Sequence, residues 1–290
     1  MRLSTKEVKE MNMLSDVVNF EFLRYALLAT LIVSISTATI SPIIVYRGME
    51  FIGDGLAHAI FAGVALAVIA RFNIFIGAMI ATAFFAYLIY KLNNTQIFRE
   101  STAIGILLPV FMSVGVIIFS KSPRYTTDVT SYLFGNILMV AKQDIYFLSV
   151  IALITIVVVF TKLYDISYWI FDEAMAKFYG MNVNLIKLLI LFLTSFVVVS
   201  ALKIAGVIVM GAFLVLPGVF AKVFAKSLKE AIVKAIYFNL AISFIGFTIA
   251  YYFDLPPGPT LVLLGFGVLT VFLFKESRKR RQKRSFLENS

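Results

Sequence analysis

The chain has 290 residues, 61% of them hydrophobic and 14% charged, and 26 Lys+Arg against 16 Asp+Glu give it a formal net charge of +10. A soluble domain runs nearer half apolar and a quarter charged, so this composition excludes a water-soluble globule and a disordered chain. Zero cysteines exclude thiolate metal sites and disulfides, and a single histidine, His58, excludes a site built from several imidazoles of one chain.

Residues 1–21 are polar and of mixed charge, with an amphipathic stretch around Val17 to Phe22. A membrane-spanning helix needs about 20 apolar residues. Such stretches occur at 22–46, 51–70, 73–91, 102–120, 143–162, 184–203, 206–225, 230–253 and 258–274. The sixth and seventh are divided only by Lys203 to Gly206, which leaves a hairpin or one broken helix, and eight or nine spans in total. The first span is expected to act as an uncleaved insertion signal, because no small-residue cleavage site follows it. The fold class is thus an all-α polytopic membrane protein with a transmembrane domain over 22–274.

Three loops have the length or composition to do something. Lys121 to Lys142 contains Ser131 to Leu138, SYLFGNIL, which is too short to span and reads as a re-entrant or surface helix. Lys162 to Val183 contains Asp172 and Glu173 followed by Ala174, Met175, Ala176, Lys177, Phe178, Tyr179 and Gly180. Acids at the start and glycine at the end predict a short capped helix there. The third loop is the turn Asp254 to Thr260. The run GVIVMGAFLVLPG places Gly206, Gly211 and Pro217 at membrane depth, where helix breakers either mark a substrate path or are simply tolerated.

Lys and Arg accumulate on the cytoplasmic side of membrane proteins. With nine spans and the C-terminus inside, seventeen basic residues fall inside and nine outside. Seven of the seventeen lie in the tail 275–290. On a soluble protein such a tail would point to nucleic acid. Directly after a span it reads as a cytoplasmic anchor attracted to anionic lipid, with no nucleic acid partner.

One constellation carries chemistry. Asp54 lies inside an apolar stretch, GDGLAHAIFAG, and His58 follows four residues later, so the two share one helix face. An ionisable group within a bilayer costs about 2.5–3.5 kcal/mol on insertion scales and normally faces a cavity or a partner. One carboxylate and one imidazole suit Zn, Mn or Fe(II) better than Cu(I). The plain alternative is that the pair bond each other and lock a helix contact, beside the small-residue ridge Gly55, Ala59 and Gly63. Zinc usually takes four ligands, so two do not complete a shell. No GxxxxGK[ST] is present, so the chain does not itself bind ATP by a P-loop. No HExxH or GxSxG accompanies the pair, and an enzymatic role is not expected.

Four segments in order, RGMEFIGDGLAHAIFAGVALA, SYLFGNIL, GVIVMGAFLVLPG and LPPGPTLVLL, make the chain resemble the permease subunits of bacterial metal-ion ABC importers, the zinc, manganese and iron group. The resemblance extends from about Phe22 to Phe274. It implies a compact version of the vitamin-B12 importer (type II) permease fold in the cell membrane. It further implies a homodimer around a central pathway, two cytoplasmic ABC ATPase subunits, and an extracytoplasmic metal-binding protein. The transported ion would be zinc first and manganese second. By position, Asp54 and His58 match the conduit residues of that family, and Asp172 to Asn182 matches the helix that couples to the ATPase. The chain departs at Gly55 and Ala57, where relatives often carry Ala and Ser, and so offers one fewer hydroxyl beside His58. Two other readings compete: a proton-coupled secondary carrier using Asp54 and His58, and a permease for chelated iron or a cofactor.

Overall fold

The computed structural model describes residues 13–121 and 140–288. Eleven helices are seen among them: α1 Met13–Asn19, α2 Glu21–Arg47, α3 Ile52–Ala70, α4 Ile74–Asn94, α5 Glu100–Ser120, α6 Lys142–Thr161, α7 Leu163–Phe171, α8 Glu173–Phe178, α9 Val183–Phe224, α10 Leu228–Tyr252 and α11 Pro257–Glu288. Eight have the length and apolar composition to cross a bilayer. The SYLFGNIL segment lies outside the described residues.

The long α9 settles the hairpin question. Gly206 stands inside it at φ 70°, ψ 172°, a backbone region essentially reserved for glycine. It divides a first limb, Val183–Leu202, from a shorter apolar limb, Val209–Phe224. A straight helix of 42 residues would be about 63 Å long. Instead both ends lie beside the C-terminus of α2. Near the start, Lys187 Nζ is 3.0 Å from Glu173, which pairs with Arg47. Near the end, Lys222 Nζ lies 5.7 Å from the centre of the Tyr46 ring. The chain therefore doubles back at Gly206, and nine traverses result among the described residues.

Neighbouring contacts fix the directions. The first limb runs antiparallel to α4, with Lys187 on Asn93 and Ser195 Oγ donating to the Thr82 carbonyl. The second limb runs parallel to α2, with Ser41 Oγ donating to the Leu214 carbonyl at 2.7 Å and Gly218 against Ser41 and Val45. It is also parallel to α11, from Val209 beside Gly258 to Phe224 beside Phe272. Consequently the C-terminal ends of α2, α9 and α11 share one side with α7 and α8. Short α1 lies at the opposite side, where Asp16 accepts from the Tyr251 hydroxyl and Met13 N donates to Tyr252. The amphipathic stretch expected to reach Phe22 is interrupted: α1 stops at Asn19, and Glu21 already begins α2.

Helix α2 is buried on most sides, and its buried residues include Thr30, Ser34, Ser36, Thr37, Thr39 and Ser41. Several of these hydroxyls return to carbonyls one turn back, as Thr30 does to Ala26. Others bind neighbours. Asn239 of α10 donates to the Ser34 carbonyl and to Thr37 Oγ1, and Ser243 meets Ser34 Oγ. In a bilayer such interhelical bonds contribute roughly 0.6–2 kcal/mol each.

Elsewhere, close packing needs no polar group. Gly63 of α3 and Gly77 of α4 abut so tightly that a Cβ on either would strike the carbonyl oxygen of the other. Gly63→Val should therefore cost on the order of 1–3 kcal/mol by overpacking. It should appear as a lower melting temperature of the detergent-solubilised chain. Gly105→Ala, with nothing within 4 Å of the added methyl, is the control expected to leave melting unchanged.

Candidate functional site

Asp54 lies in the first turn of α3, and His58 sits one turn further on the same face. Both are half-buried. The neighbouring faces of α3 are spoken for: Gly55 packs against Phe85 and Ile104 of α4 and α5, and Gly53 packs against Leu214 and Gly211 of the second α9 limb. Gly211 also faces the carboxylate, because a Cβ there would lie 3.5 Å from Asp54 Oδ1. Two features separated by more than 150 residues in sequence, the acidic pair and the glycine of the second limb, are thus brought together. Gly206 forms the reversal, and Pro217 is buried further down the limb, beside the Gly218–Ser41 contact.

Neither Asp54 nor His58 has a hydrogen bond or ion pair to another described residue. The reading in which the two lock each other by a hydrogen bond gains no contact. No group of three or more His, Asp or Glu able to hold a metal occurs among the described residues.

The second predicted element divides by role. Asp172 caps α8, its Oδ1 accepting from Met175 N at 2.9 Å. Gly180 ends the turn at φ 75°. Ala176 is buried, while Ala174, Met175, Lys177, Phe178, Tyr179 and Gly180 face outward. Phe178 is 80% exposed and Tyr179 58%.

Glu173 turns inward instead. Its Oε1 lies 3.0 Å from both Lys187 and Lys177, and its Oε2 lies 3.7 Å from Arg47. Arg47 pairs in turn with Glu100 at the start of α5, donates to the Trp169 carbonyl at 3.2 Å, and lies 4.6 Å over the Trp169 ring. Lys187 also donates to Asn93 Oδ1 of α4. Six helices meet in this network. Sequence reading missed Arg47, Glu100, Trp169 and Lys187 as a group. The available signal was a Glu opening one span and a Lys inside another.

With this geometry in place, the comparison with known proteins is direct. The family model described as the ABC 3 transport family matches residues 19–276. The chain belongs to the ABC 3 transport family. A relative from Thermotoga maritima, named "Probable metal transport system membrane protein", is 41% identical over 260 residues, 90% of this chain and 92% of its own. The manganese transport system membrane protein MntC of Listeria monocytogenes is 33% identical over 280 residues, 95% of this chain and 99% of its own. Among solved structures, PsaBC from Streptococcus pneumoniae in complex with Fab superposes with a TM-score of 0.78 at 30% identity, covering 89% of this chain and 93% of that one. The all-helical polytopic membrane fold expected from the sequence is the fold of this ABC 3 family.

Partial burial opposes ionisation of Glu173, but hydrogen bonds from Lys187 and Lys177 outweigh it and hold the carboxyl below its ordinary value of 4.5. A carboxyl with a lowered folded-state value contributes stability above its unfolded value and loses that contribution as pH falls through the folded one. The Glu173 pairing should accordingly be intact at neutral pH and fail only below 4.5. Trp169 is the sole tryptophan, buried against Arg47, so its fluorescence reports this cluster. An acid titration should shift its emission below that pH, and Arg47→Ala should produce the shift at neutral pH with a loss of about 3 kcal/mol.

Proposed function

We propose that the chain is the membrane permease of an ATP-driven importer of divalent metal ions, with Asp54 and His58 lining the ion pathway. The observation that carries this reading is the placement of the two groups: intramembrane, half-buried, on one face, opposite Gly211 and without a partner among the described residues. An intramembrane carboxylate left unpaired calls for a cavity or a second ligand set. A second copy of the chain would supply two further donors and bring the total to the four that zinc usually takes.

Two donors per copy bind weakly enough to release the ion, which conduction requires. His58 must be neutral to ligate. The exposed face of α8, with Met175, Phe178 and Tyr179, is assigned to two cytoplasmic ATPase subunits, since the chain has no P-loop of its own. The side that bears α8 also bears the basic end of α11, so the positive-inside rule supports its assignment to the cytoplasm. The C-terminus is then cytoplasmic, and an extracytoplasmic metal-binding protein delivers the ion at the α1 side. As to the metal, one oxygen and one nitrogen donor suit zinc, manganese and Fe(II). The name of the Listeria relative gives manganese support that composition alone did not.

The test is uptake by the permease reconstituted in proteoliposomes with its ATPase and binding protein, read by elemental analysis with competing Zn, Mn and Fe(II). Asp54→Asn and His58→Ala should each lower uptake by at least about tenfold, the lower range for disturbing a metal site, while the complex stays assembled. Undiminished uptake in both variants would remove the pair from the pathway. Uptake driven by a proton gradient without ATPase subunits would establish a secondary carrier instead.

A further inference from the structure

The network around Arg47 holds more charge than packing requires, and its arrangement has a direction. Its outer member, Glu173, belongs to α8, the element with the exposed apolar face. Its side chain is 29% exposed, against 15% for Arg47 and 10% for Glu100. Its inner member, Arg47, is the last residue of α2 and stands five residues before the start of α3. The intervening turn is closed by hydrogen bonds and a buried side chain. Met49 N donates to the Ile44 carbonyl at 3.0 Å, Ile52 N donates to the Met49 carbonyl at 2.9 Å, and the Met49 side chain is buried. A shift of the Arg47 end of α2 is therefore handed to the first turn of α3, where Asp54 sits.

The network also has the makings of two states. Glu173 Oε1 is shared by Lys177 and Lys187 at 3.0 Å each, whereas Oε2 stands off from Arg47 at 3.7 Å. Meanwhile Arg47 Nε and Trp169 Nε1 are buried donors without a partner among the described residues. A buried donor left unpaired is costly, so a conformation that supplies its acceptor is favoured once something offsets the move. If Glu173 leaves the lysines and closes on Arg47, a second carboxylate joins Glu100 at the guanidinium and comes within reach of Nε, which now lacks an acceptor. A guanidinium takes a carboxylate in such a two-point pairing more readily than in a single contact.

We propose that Glu173 and Arg47 are positioning residues that transmit displacement of α8 to the first turn of α3, through exchange of Glu173 between Lys187 and Arg47. The proposal rests on the reading of the chain as an ABC permease. It assigns neither residue to metal binding. It predicts that the network sets how much metal moves per ATP, rather than whether ATPase subunits dock or hydrolyse.

The experiment uses the full complex, permease with ATPase subunits and binding protein, in proteoliposomes with Mn or Zn as the probe. Glu173→Gln keeps the shape of the side chain and removes its charge. The ATPase should still co-purify and ATP hydrolysis should persist, while ions moved per ATP fall at least about fivefold, the lower end of site-to-site coupling. Arg47→Lys, which keeps the charge and loses the fork, should do the same, and it serves if one variant folds poorly. A second readout follows motion directly. The chain has no cysteine, so spin labels enter cleanly at exposed Phe171→Cys, directly before α8, and Phe51→Cys before α3. Their separation should change on ATP binding in the otherwise unmodified chain and stop changing with Glu173→Gln. An unaltered ion-to-ATP ratio, or an ATP response of the labels that survives Glu173→Gln, overturns the proposal. So does failure of the ATPase to bind, which would make the network a docking element only. An unmodified complex that hydrolyses ATP and moves no metal fails at the earlier reading, and is told apart by that control.

Discussion

The guanidinium of Arg47 ties one end of the molecule together. It closes α2, the most buried helix, and reaches Glu100 on α5, Trp169 on α7 and Glu173 on α8. An arginine is suited to this position because its planar fork serves several acceptors and still stacks on a ring. Removing a single partner of such a group leaves a charge stranded in a poorly hydrated place, which costs far more than the pairing gains. The network is thus weak as a source of net stability and strong as a constraint on geometry. It fixes where the short helices α7 and α8 sit beneath the traverses.

The part of the molecule around α3 follows a different logic. Around α3, glycines rather than charges decide the geometry, because Gly53, Gly55 and Gly63 let three neighbouring elements approach on separate faces. What is left over is the strip with Asp54 and His58. The second α9 limb, brought back by the reversal at Gly206, sets Gly211 against that strip. A larger residue at Gly211 would fill the space in front of the carboxylate. Small side chains therefore define both the tight contacts of α3 and the opening beside its acid.

Much of this was legible in the sequence, for a physical reason. Spanning helices announce themselves by length, and most observed bounds fall within about two residues of the apolar stretches. The i and i+4 spacing of Asp54 and His58 placed them on one face without any tertiary knowledge. The α8 helix was foreseeable because capping is a local matter: Asp172 and Gly180 do what their types favour. The Gly206 reversal stayed open between two forms, since a glycine advertises freedom and not the dihedral it will take. The Arg47 network was invisible because its members are far apart in the chain. Arg47 and Glu100, 53 positions apart, each read as ordinary charges at a membrane edge. The hydroxyl-rich run of α2 gives no local sign of Asn239, its partner across the bundle, for the same reason.

The last helix carries a further consequence. Helix α11 continues through the basic tail without a break and has 32 residues. Along its axis that is about 48 Å, against about 30 Å for the hydrocarbon core. Roughly 18 Å of rod therefore extends past the core, some two Debye lengths at physiological ionic strength. Charges at its base, such as Lys275, feel the headgroups at close range, and screening by salt grows along the rod. Ionic strength therefore acts unevenly along the rod, hardly at all at Lys275 and more with each turn beyond the core.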